Sequence, residues 1–267
     1  MLEYCKENRL YLQSKSFCET GLVNHGFTGR TGGVSTGKIQ GLNLGFRVGD
    51  DPRSVKENYR LAAEDLGFTP ECAVLAKQTH TDHIRLVTQA DAGKGLTRES
   101  DIQDTDGLIT DCQGIALVVF AADCVPLLFL DPERKVIAAV HAGWRGTVKG
   151  IGQKAVHMMK EIFGSAPKDI LAAVGPSLGP CCFTFGAENA EVFPQKYKSP
   201  ERNGKVLVDL WQMNRDQLLK SGIPERNIDI SGICTICHAD RFYSYRTHGE
   251  HTGRQAGIIM LRPLPKP

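Results

Sequence analysis

The sequence predicts an α/β protein, a layered α/β sandwich on a mixed sheet, folded as a single domain over residues 1–267. A chain of 267 residues with 41% hydrophobic composition is long enough to bury a substantial core. Short apolar β runs come in neighbouring groups, one of them a hairpin, and helical segments are interspersed among them irregularly. No internal repeat or Pro/Ser-rich linker divides the chain.

Three helices are predicted from the residues at their ends, and they cover residues 51–66, 148–163 and 210–220. Asp51-Pro52 supplies a capping carboxylate and a first-turn proline to the first helix. Gly67 ends that helix and Gly164 ends the second, since glycine tolerates the left-handed conformation that follows a last helical turn.

Runs of apolar and β-branched residues predict strands at 84–87, 107–109, 116–120, 125–130, 136–140, 170–174, 228–232 and 256–261. Between the first two of these strands, residues 89–105 are polar. They therefore predict a long surface loop.

The sequence Asp131-Pro132-Glu133-Arg134 has the composition of a four-residue turn and predicts a hairpin between the two runs that flank it. If Leu130 faces Lys135, counting outward places Cys124 opposite His141, with Cα atoms roughly 4.5 to 5.5 Å apart and side chains on one face. That separation suits two ligands of one metal ion. It equally suits a cysteine nucleophile with a histidine base.

A third candidate ligand lies upstream, where Gln-Thr-His precedes the strand that starts near Ile84. His80 is the first choice and His83 the second. Three ligands, His80, Cys124 and His141, would leave the fourth tetrahedral position open, as in catalytic zinc sites. Thiolate with imidazole favours zinc over magnesium or calcium. From the spacing alone, a buried cysteine and two ordinary hydrogen-bonded histidines remain the alternative.

The charge balance predicts a small-molecule partner rather than nucleic acid, because 32 basic and 30 acidic residues give a net charge of only +2 and form no basic block. The charged N-terminal 20 residues do not resemble a signal peptide, and no apolar stretch is long enough to span a membrane. A cytoplasmic protein with no obligate protein partner is therefore predicted. Nine cysteines in a reducing compartment indicate buried residues, metal ligands or reactive thiols rather than disulfides.

Several motifs together resemble a known family. They are HGFTGRTGGVSTGKIQGLNLG, DGLIT, ADCVPLLFLD, AAVHAGWRGTVKGI, GPSLGPCC, and CTIC followed by FYSYRTHGEHTGRQAGIIML. In this order, from about His25 to Leu261, they resemble the multicopper polyphenol oxidase (laccase)-domain family, whose members are also called purine nucleoside phosphorylase or peptidoglycan editing factor proteins. The ADC and HAGWRG pair is highly specific.

The resemblance implies a single α/β sandwich domain with one zinc ion held by His80, Cys124 and His141. It implies phosphorolysis of adenosine, guanosine, inosine or methylthioadenosine to base and ribose 1-phosphate, and deamination of adenosine. The older family name implies copper-dependent phenol oxidation. Copper is the weaker alternative, because eight histidines are few to hold several copper ions.

These reactions suggest roles for further residues. Deamination needs an acid for the leaving amine, and Asp123, beside Cys124, is a candidate proton carrier. Phosphorolysis needs cations that hold phosphate, and guanidinium groups bind it in bidentate fashion. The candidates, each of which could instead be a solvated surface charge, are Arg30, Arg47, Arg145 and Arg246. Arg145, four residues past His141, is the first choice, and Asn43 is a candidate for binding a ribose hydroxyl.

The chain departs from the family pattern twice. Where many members carry a Cys-Tyr-Glu-Val-like stretch, this chain has Thr184 in place of the carboxylate, and the arginine pair after Ser-Tyr is here Arg246-Thr247. Neither change touches the candidate metal ligands, but both leave the preferred purine open.

The sequence CTICH at residues 234–238 matches the c-type haem attachment pattern, which requires an export that the N-terminus does not predict. A second zinc site, a redox pair, or a turn with partly buried thiols are the alternatives, and the turn is favoured. The adjacent Cys181 and Cys182 are not expected to bridge each other, because disulfide geometry strains the intervening peptide.

Three functional hypotheses follow. The first is the zinc-dependent purine nucleoside phosphorylase and deaminase. The second is a metal-free hydrolase or amidase that edits peptidoglycan precursors, with Cys124 as nucleophile and His141 as base. The third is a protein whose site binds a ligand without turning it over.

Overall fold

The chain folds into two six-stranded mixed sheets that pack face to face, with helices on both outer sides. The computed structural model describes residues 1–200 and 204–263. The helices are α1 (Lys15–Thr20), α2 (Pro52–Leu66), α3 (Trp144–Val148), α4 (Ile151–Phe163), α5 (Leu210–Lys220) and α6 (Tyr245–His248). The strands are β1 (Leu2–Lys6), β2 (Arg9–Gln13), β3 (Val23–Thr28), β4 (Ala73–Leu75), β5 (Ile84–Leu86), β6 (Gly107–Thr110), β7 (Ala116–Ala121), β8 (Val125–Asp131), β9 (Val136–Ala142), β10 (Leu171–Val174), β11 (Thr184–Gly186), β12 (Lys198–Pro200), β13 (Lys205–Val208), β14 (Ile228–Ile230) and β15 (Gln255–Leu261).

The first sheet has the strand order β1-β2-β3-β15-β7-β4 and is antiparallel except between β7 and β4. The second has the order β14-β10-β8-β9-β6-β5 and is parallel at both edges. A small sheet of β11, β13 and β12 accompanies them. The predicted α/β fold class is confirmed, but the expected mixed sheet is two mixed sheets. The predicted strand ends differ from the observed ones by at most two residues.

The two large sheets are buried on both faces, so alternate residues of a central strand enter different parts of the core. On β8, Leu128 and Leu130 pack between the sheets, whereas Leu127 and Phe129 pack under α4 and α5. Helix α2 covers the outer face of the first sheet. This double burial explains why the central strands appear in the sequence as continuous apolar runs.

The helix ends follow the residues that predicted them, with one difference. The Asp51 side chain accepts a hydrogen bond from the Arg53 N–H at 2.9 Å, and Gly67 has a φ of +73°. The segment predicted as one helix from residue 148 contains the end of α3 and then all of α4. Gly150, with a φ of +74°, separates them, because a left-handed residue cannot continue an α-helix.

The hairpin of β8 and β9 forms in a register two residues away from the predicted one. Asp131 pairs with Val136 and Pro126 with His141, so the turn begins one residue later than expected. The reason is the Asp131 carboxylate, which accepts the N–H groups of Glu133 and Arg134 at 2.9 and 3.1 Å. A shift of two residues keeps every side chain on its face, so Cys124 still lies on the same face as His141.

Among residues 1–200 and 204–263, no helix has the length and apolar character that crossing a bilayer requires.

A buried histidine makes stability depend on pH. His25 in β3 is 2% exposed, packs on Phe17, and accepts the Ser14 N–H at 2.9 Å through Nε2. Burial lowers the pKa of His25 from 6.5 to about 4, because the charged imidazolium is poorly solvated there. Since the folded-state pKa is the lower one, the stabilisation is complete above pH 6.5 and is lost as the pH falls towards 4.

Between pH 6.5 and pH 4, His25 should cost the wild-type protein about 3 kcal/mol of unfolding free energy. His25→Gln should not show this loss, because an amide oxygen can accept the Ser14 N–H without titrating. Urea unfolding at several pH values measures this. The control is His157→Gln, at an exposed position of α4. An unchanged pH profile in His25→Gln would contradict the assignment.

Candidate active site

Three side chains from separate elements meet beside the hairpin. His80 lies in the loop between β4 and β5, Cys124 directly precedes β8, and His141 lies near the end of β9. Their ligand atoms all lie within 4.8 Å of one another, and Cys124 Sγ is 3.8 Å from His80 Nε2. The structure thus brings the three predicted ligands together. His83, the second choice, is outside this group, and its Nδ1 lies 3.0 Å from the Asp104 carbonyl oxygen.

The arrangement fits one metal ion. Ligands at tetrahedral zinc, with bonds of about 2.0 to 2.3 Å, are roughly 3.3 to 3.8 Å apart, and the sulfur-to-nitrogen distance of 3.8 Å is close to that range. Two imidazoles and a thiolate leave one of four coordination positions for another ligand, as in catalytic zinc sites. The same donor set also binds copper.

A buried carboxylate, Asp106, organises both histidines. Its Oδ1 accepts hydrogen bonds from His141 Nδ1 at 2.7 Å and from the His80 N–H at 3.1 Å. Its Oδ2 accepts the N–H groups of Thr79 and Thr81 at 3.2 and 2.7 Å and the Thr81 hydroxyl at 2.7 Å. Because Nδ1 donates to Asp106, Nε2 is the nitrogen left for a metal, which would displace its proton. Asp106 begins the DGLIT motif, but nothing local in the sequence assigns it this role.

The backbone around the group is constrained. His80 and Asp123 have φ values of +64° and +84°, which non-glycine residues rarely adopt and which cluster at functional sites. Gly143 lies against all three ligands, and a Cβ there would be 2.9 Å from His80 Cδ2 and 3.3 Å from Cys124 Sγ. Glycine is therefore required at the first position after β9.

The electrostatics favour a thiolate. Burial by itself raises the pKa of Cys124, but the neighbouring His141 and His80 outweigh it and lower the pKa to about 6. Burial lowers the pKa of His141, but the Cys124 thiolate and the Asp106 carboxylate outweigh it and raise the pKa to about 9. The thiolate that a metal requires is thus already favoured at neutral pH.

The three ligands lie in the wall of a cavity of about 1080 Å³, which is large enough for a small organic molecule together with an anion. Its aromatic lining residues are Phe46, Phe120, Trp144, Phe183 and Tyr245. Residues 95–100, 102 and 103 form part of the wall. The segment predicted as a surface loop therefore also encloses the site.

The cavity lining is rich in cations, namely Arg47, Lys56, Lys77, Arg98, Arg246 and Arg254. Its carboxylates are Glu99 and Asp123. Within the described part of the chain, none of these six cations forms an ion pair with a carboxylate. Arg254 is half-buried, and burial lowers its pKa, so its charge is incompletely compensated. The cavity therefore favours an anionic ligand.

Three further residues predicted from the sequence line this cavity. Arg47 and Arg246 are exposed, and Arg246 Nη1 donates to the Thr184 carbonyl oxygen at 3.3 Å. Asp123 lies beside Cys124, and its two carboxylate oxygens accept the Thr235 hydroxyl and the Arg246 N–H, both at 2.6 Å. Asp123 therefore fixes the backbone at Arg246.

The structure places the other predicted substrate ligands outside the cavity. Arg30 donates to the Ala239 carbonyl oxygen at 2.8 Å, and Asn43 is fully buried and donates to Asp50 at 2.7 Å. Arg145 is exposed, and its guanidinium lies 4.3 Å from the ring centroid of Trp144.

Arg30, Asn43 and Arg145 therefore do not lie with the other predicted substrate ligands in the cavity wall. Trp144 lines the cavity, whereas its helical neighbour Arg145 lines a separate surface depression. Lys77, Arg98 and Arg254 were missed, because no spacing in the sequence relates them to the three ligands.

Comparisons with known proteins agree on one family. Residues 24–262 match the family described as multi-copper polyphenol oxidoreductase laccase. The chain is 38% identical over 245 residues to the purine nucleoside phosphorylase YlmD of Geobacillus stearothermophilus, covering 89% of each chain. It is 34% identical over 269 residues to a purine nucleoside phosphorylase of Bacteroides thetaiotaomicron, covering 98% of this chain and 99% of the relative. The crystal structure of YlmD from Geobacillus stearothermophilus superposes with a TM-score of 0.90 at 34% identity, covering 97% of this chain and 98% of that one.

Proposed function

Because this chain belongs to the multi-copper polyphenol oxidoreductase laccase family, we propose that it is a zinc-dependent purine nucleoside phosphorylase that also deaminates adenosine. Several relatives carry the name purine nucleoside phosphorylase, which supports an enzyme of this kind. The observation that carries the proposal is the position of the His80, Cys124 and His141 group in the wall of a large cavity whose six lining cations form no ion pair within the described residues.

The cations suit inorganic phosphate. Phosphorolysis brings a phosphate dianion against the anomeric carbon of a nucleoside. One guanidinium group can donate hydrogen bonds to two phosphate oxygens at once. Arg246 is our first candidate, because Thr184 and the Asp123 carboxylate hold its guanidinium and its backbone in place. Arg47 and Arg254 are the second and third, since both line the same cavity.

The aromatic residues suit a purine. Phe120 and Tyr245 line the same cavity as the three ligands and so offer flat apolar surface to a bound molecule. A purine ring gains from stacking on such faces, and its burial excludes water from the glycosidic bond.

In the proposed phosphorolysis, a phosphate oxygen forms a bond to C1′ of the ribose while the glycosidic bond breaks, and the base leaves with a proton. His80, Cys124 and His141 would hold a zinc ion, which would supply Lewis-acid chemistry to the reaction. Asp106 holds the His141 ring through Nδ1 and the His80 backbone through its N–H, and so positions both residues to bind the metal. Asp123 remains our candidate proton carrier for deamination, where the leaving amine must be protonated.

Zinc is the metal we propose, and copper is the alternative that the family description offers. Oxidation of phenols by a laccase-type centre needs several copper ions with many imidazole ligands. Within the described residues, the other group of close metal-binding side chains consists of four cysteines. Metal analysis of the purified protein separates the two metals.

We expect purified protein to convert adenosine to adenine and ribose 1-phosphate only when phosphate is present, and to release inosine whether or not phosphate is present. Chromatography of the products measures both reactions, and a strong chelator should stop both. No turnover of any purine nucleoside would contradict the proposal. Activity that survives chelation and ends when a thiol reagent labels Cys124 would instead support the Cys/His hydrolase.

Arginine variants test the assigned phosphate site in the same assay. Arg246→Ala should raise KM for phosphate by roughly 10-fold to 100-fold, the range expected when a hydrogen bond to a charged group is lost. Arg145→Ala is the matched control, because Arg145 lies outside the cavity, and its KM should stay at the wild-type value. A larger rise in KM for phosphate in Arg145→Ala than in Arg246→Ala would refute the assignment of Arg246 to the phosphate site.

A further inference from the structure

A second group of metal-binding side chains lies outside the site described above. Cys181 and Cys182 follow β10, and Cys234 and Cys237 follow β14. Their four sulfur atoms all lie within 4.8 Å of one another, and Cys237 Sγ is 3.6 Å from both Cys181 Sγ and Cys182 Sγ. We propose that these four cysteines bind a second metal ion, a structural zinc.

The sulfur spacing matches a tetrahedral metal site. Four thiolates on one zinc, each bonded at about 2.3 Å, have sulfur atoms roughly 3.8 Å apart. The distances of 3.6 Å from Cys237 Sγ are close to this value. Cys237 Sγ lies equally near Cys181 Sγ and Cys182 Sγ. An ion shared by the sulfur atoms fits this geometry better than a disulfide between two of them.

Backbone hydrogen bonds support the sulfur of Cys234. This residue is 4% exposed, and the Gly179 N–H donates to its Sγ at 3.3 Å. An N–H donated to sulfur stabilises a thiolate, the form that a metal binds. Because Cys234 is buried in this turn, a covalent haem bond to the CTICH sequence does not fit.

The location indicates a structural role. The ion would tie the turn after β10, which supplies Leu178 and Phe183 to the cavity wall, to the turn that contains Thr235. Thr235 in turn donates to Asp123, beside Cys124. With four protein ligands the coordination shell is closed, which is typical of structural rather than catalytic zinc.

The decisive measurement uses Cys124→Ser, which leaves these four cysteines intact and does not depend on activity. We expect about two zinc ions per wild-type chain and about one in Cys124→Ser. X-ray absorption of that variant should show four sulfur neighbours at about 2.3 Å. A variant that holds no zinc, or zinc with mainly nitrogen and oxygen neighbours, would overturn the proposal.

A second variant removes the proposed ion itself. Cys237 is exposed, so Cys237→Ser leaves no buried cavity and should lose one zinc per chain and lower the Tm by roughly 5 °C or more. Cys18→Ser, at an exposed cysteine outside both groups, is the control and should keep both ions. An unchanged zinc content in Cys237→Ser would also overturn the proposal. So would a disulfide that joins these residues in protein kept under reductant.

Discussion

Replacing Cys124 by serine should lower kcat/KM for adenosine phosphorolysis by at least about a thousandfold. The hydroxyl of serine does not ionise near neutral pH, so the site would keep two imidazoles and lose its anionic ligand. Loss of the Lewis acid removes several kcal/mol of transition-state stabilisation, and about 4 kcal/mol corresponds to a factor of about one thousand. Deamination of adenosine should fall with it, because both reactions use the same metal position.

Metal content and activity should be measured on one preparation of Cys124→Ser. We expect the variant to hold one zinc per chain fewer than wild type and to keep the wild-type circular dichroism spectrum. Cys112→Ser is the matched control, because Cys112 is also partly buried and lies past the far end of β6 from His141. Full metal content with full activity in Cys124→Ser would disprove the role of the thiolate.

Asp106→Asn should weaken binding of the active-site metal although Asp106 does not line the cavity. The Asp106 carboxylate accepts five hydrogen bonds. In asparagine an NH2 group replaces one of the two oxygens, so a hydrogen-bond donor would face other donors. At a fully buried position each unsatisfied group costs about 1 to 3 kcal/mol. We therefore expect metal affinity to fall by roughly 10-fold to 100-fold, with a loss of about 3 kcal/mol in unfolding free energy.

Competition with a chromophoric chelator measures the affinity, and urea unfolding measures the stability. Asp131→Asn is the control, because Asp131 is equally buried but lies at the turn of the hairpin, far along β8 and β9 from the site. Its Oδ1 accepts both N–H bonds, which an amide oxygen can also accept, so metal affinity should be unchanged. Wild-type metal affinity in Asp106→Asn would show that the histidines are oriented by other contacts.

Local chemistry in the sequence predicted much of the fold. Capping residues and glycines predicted both ends of α2 and the C-terminal ends of α4 and α5, and apolar runs located the central strands within two residues. The pairing of β8 with β9 was predicted with the right face and the wrong register. The face depends only on alternation along the strand, whereas the register depended on how Asp131 binds the turn backbone.

Two of the three candidate metal ligands, Cys124 and His141, followed from the hairpin, because hairpin partners are close both in sequence and in space. His80 came from a polar segment before a strand, and only the folded chain brings it within 3.8 Å of Cys124. The resemblance to a family agreed with all three. Asp106 could not be assigned from the sequence, since its five donors come from segments 25 to 35 residues away.

The sequence by itself determined the fold class, most ends of the three predicted helices and the pairing of the hairpin strands, and it proposed the three candidate ligands, because these depend on residues near one another or on a motif. The tertiary structure alone decided that the strands form two sheets and that Asp106 orients both histidines. It also decided that Arg246 and Arg254 line the cavity while Arg30 and Arg145 do not. Those features depend on contacts between distant segments, and an arginine next to a ligand in sequence can point away from it in space.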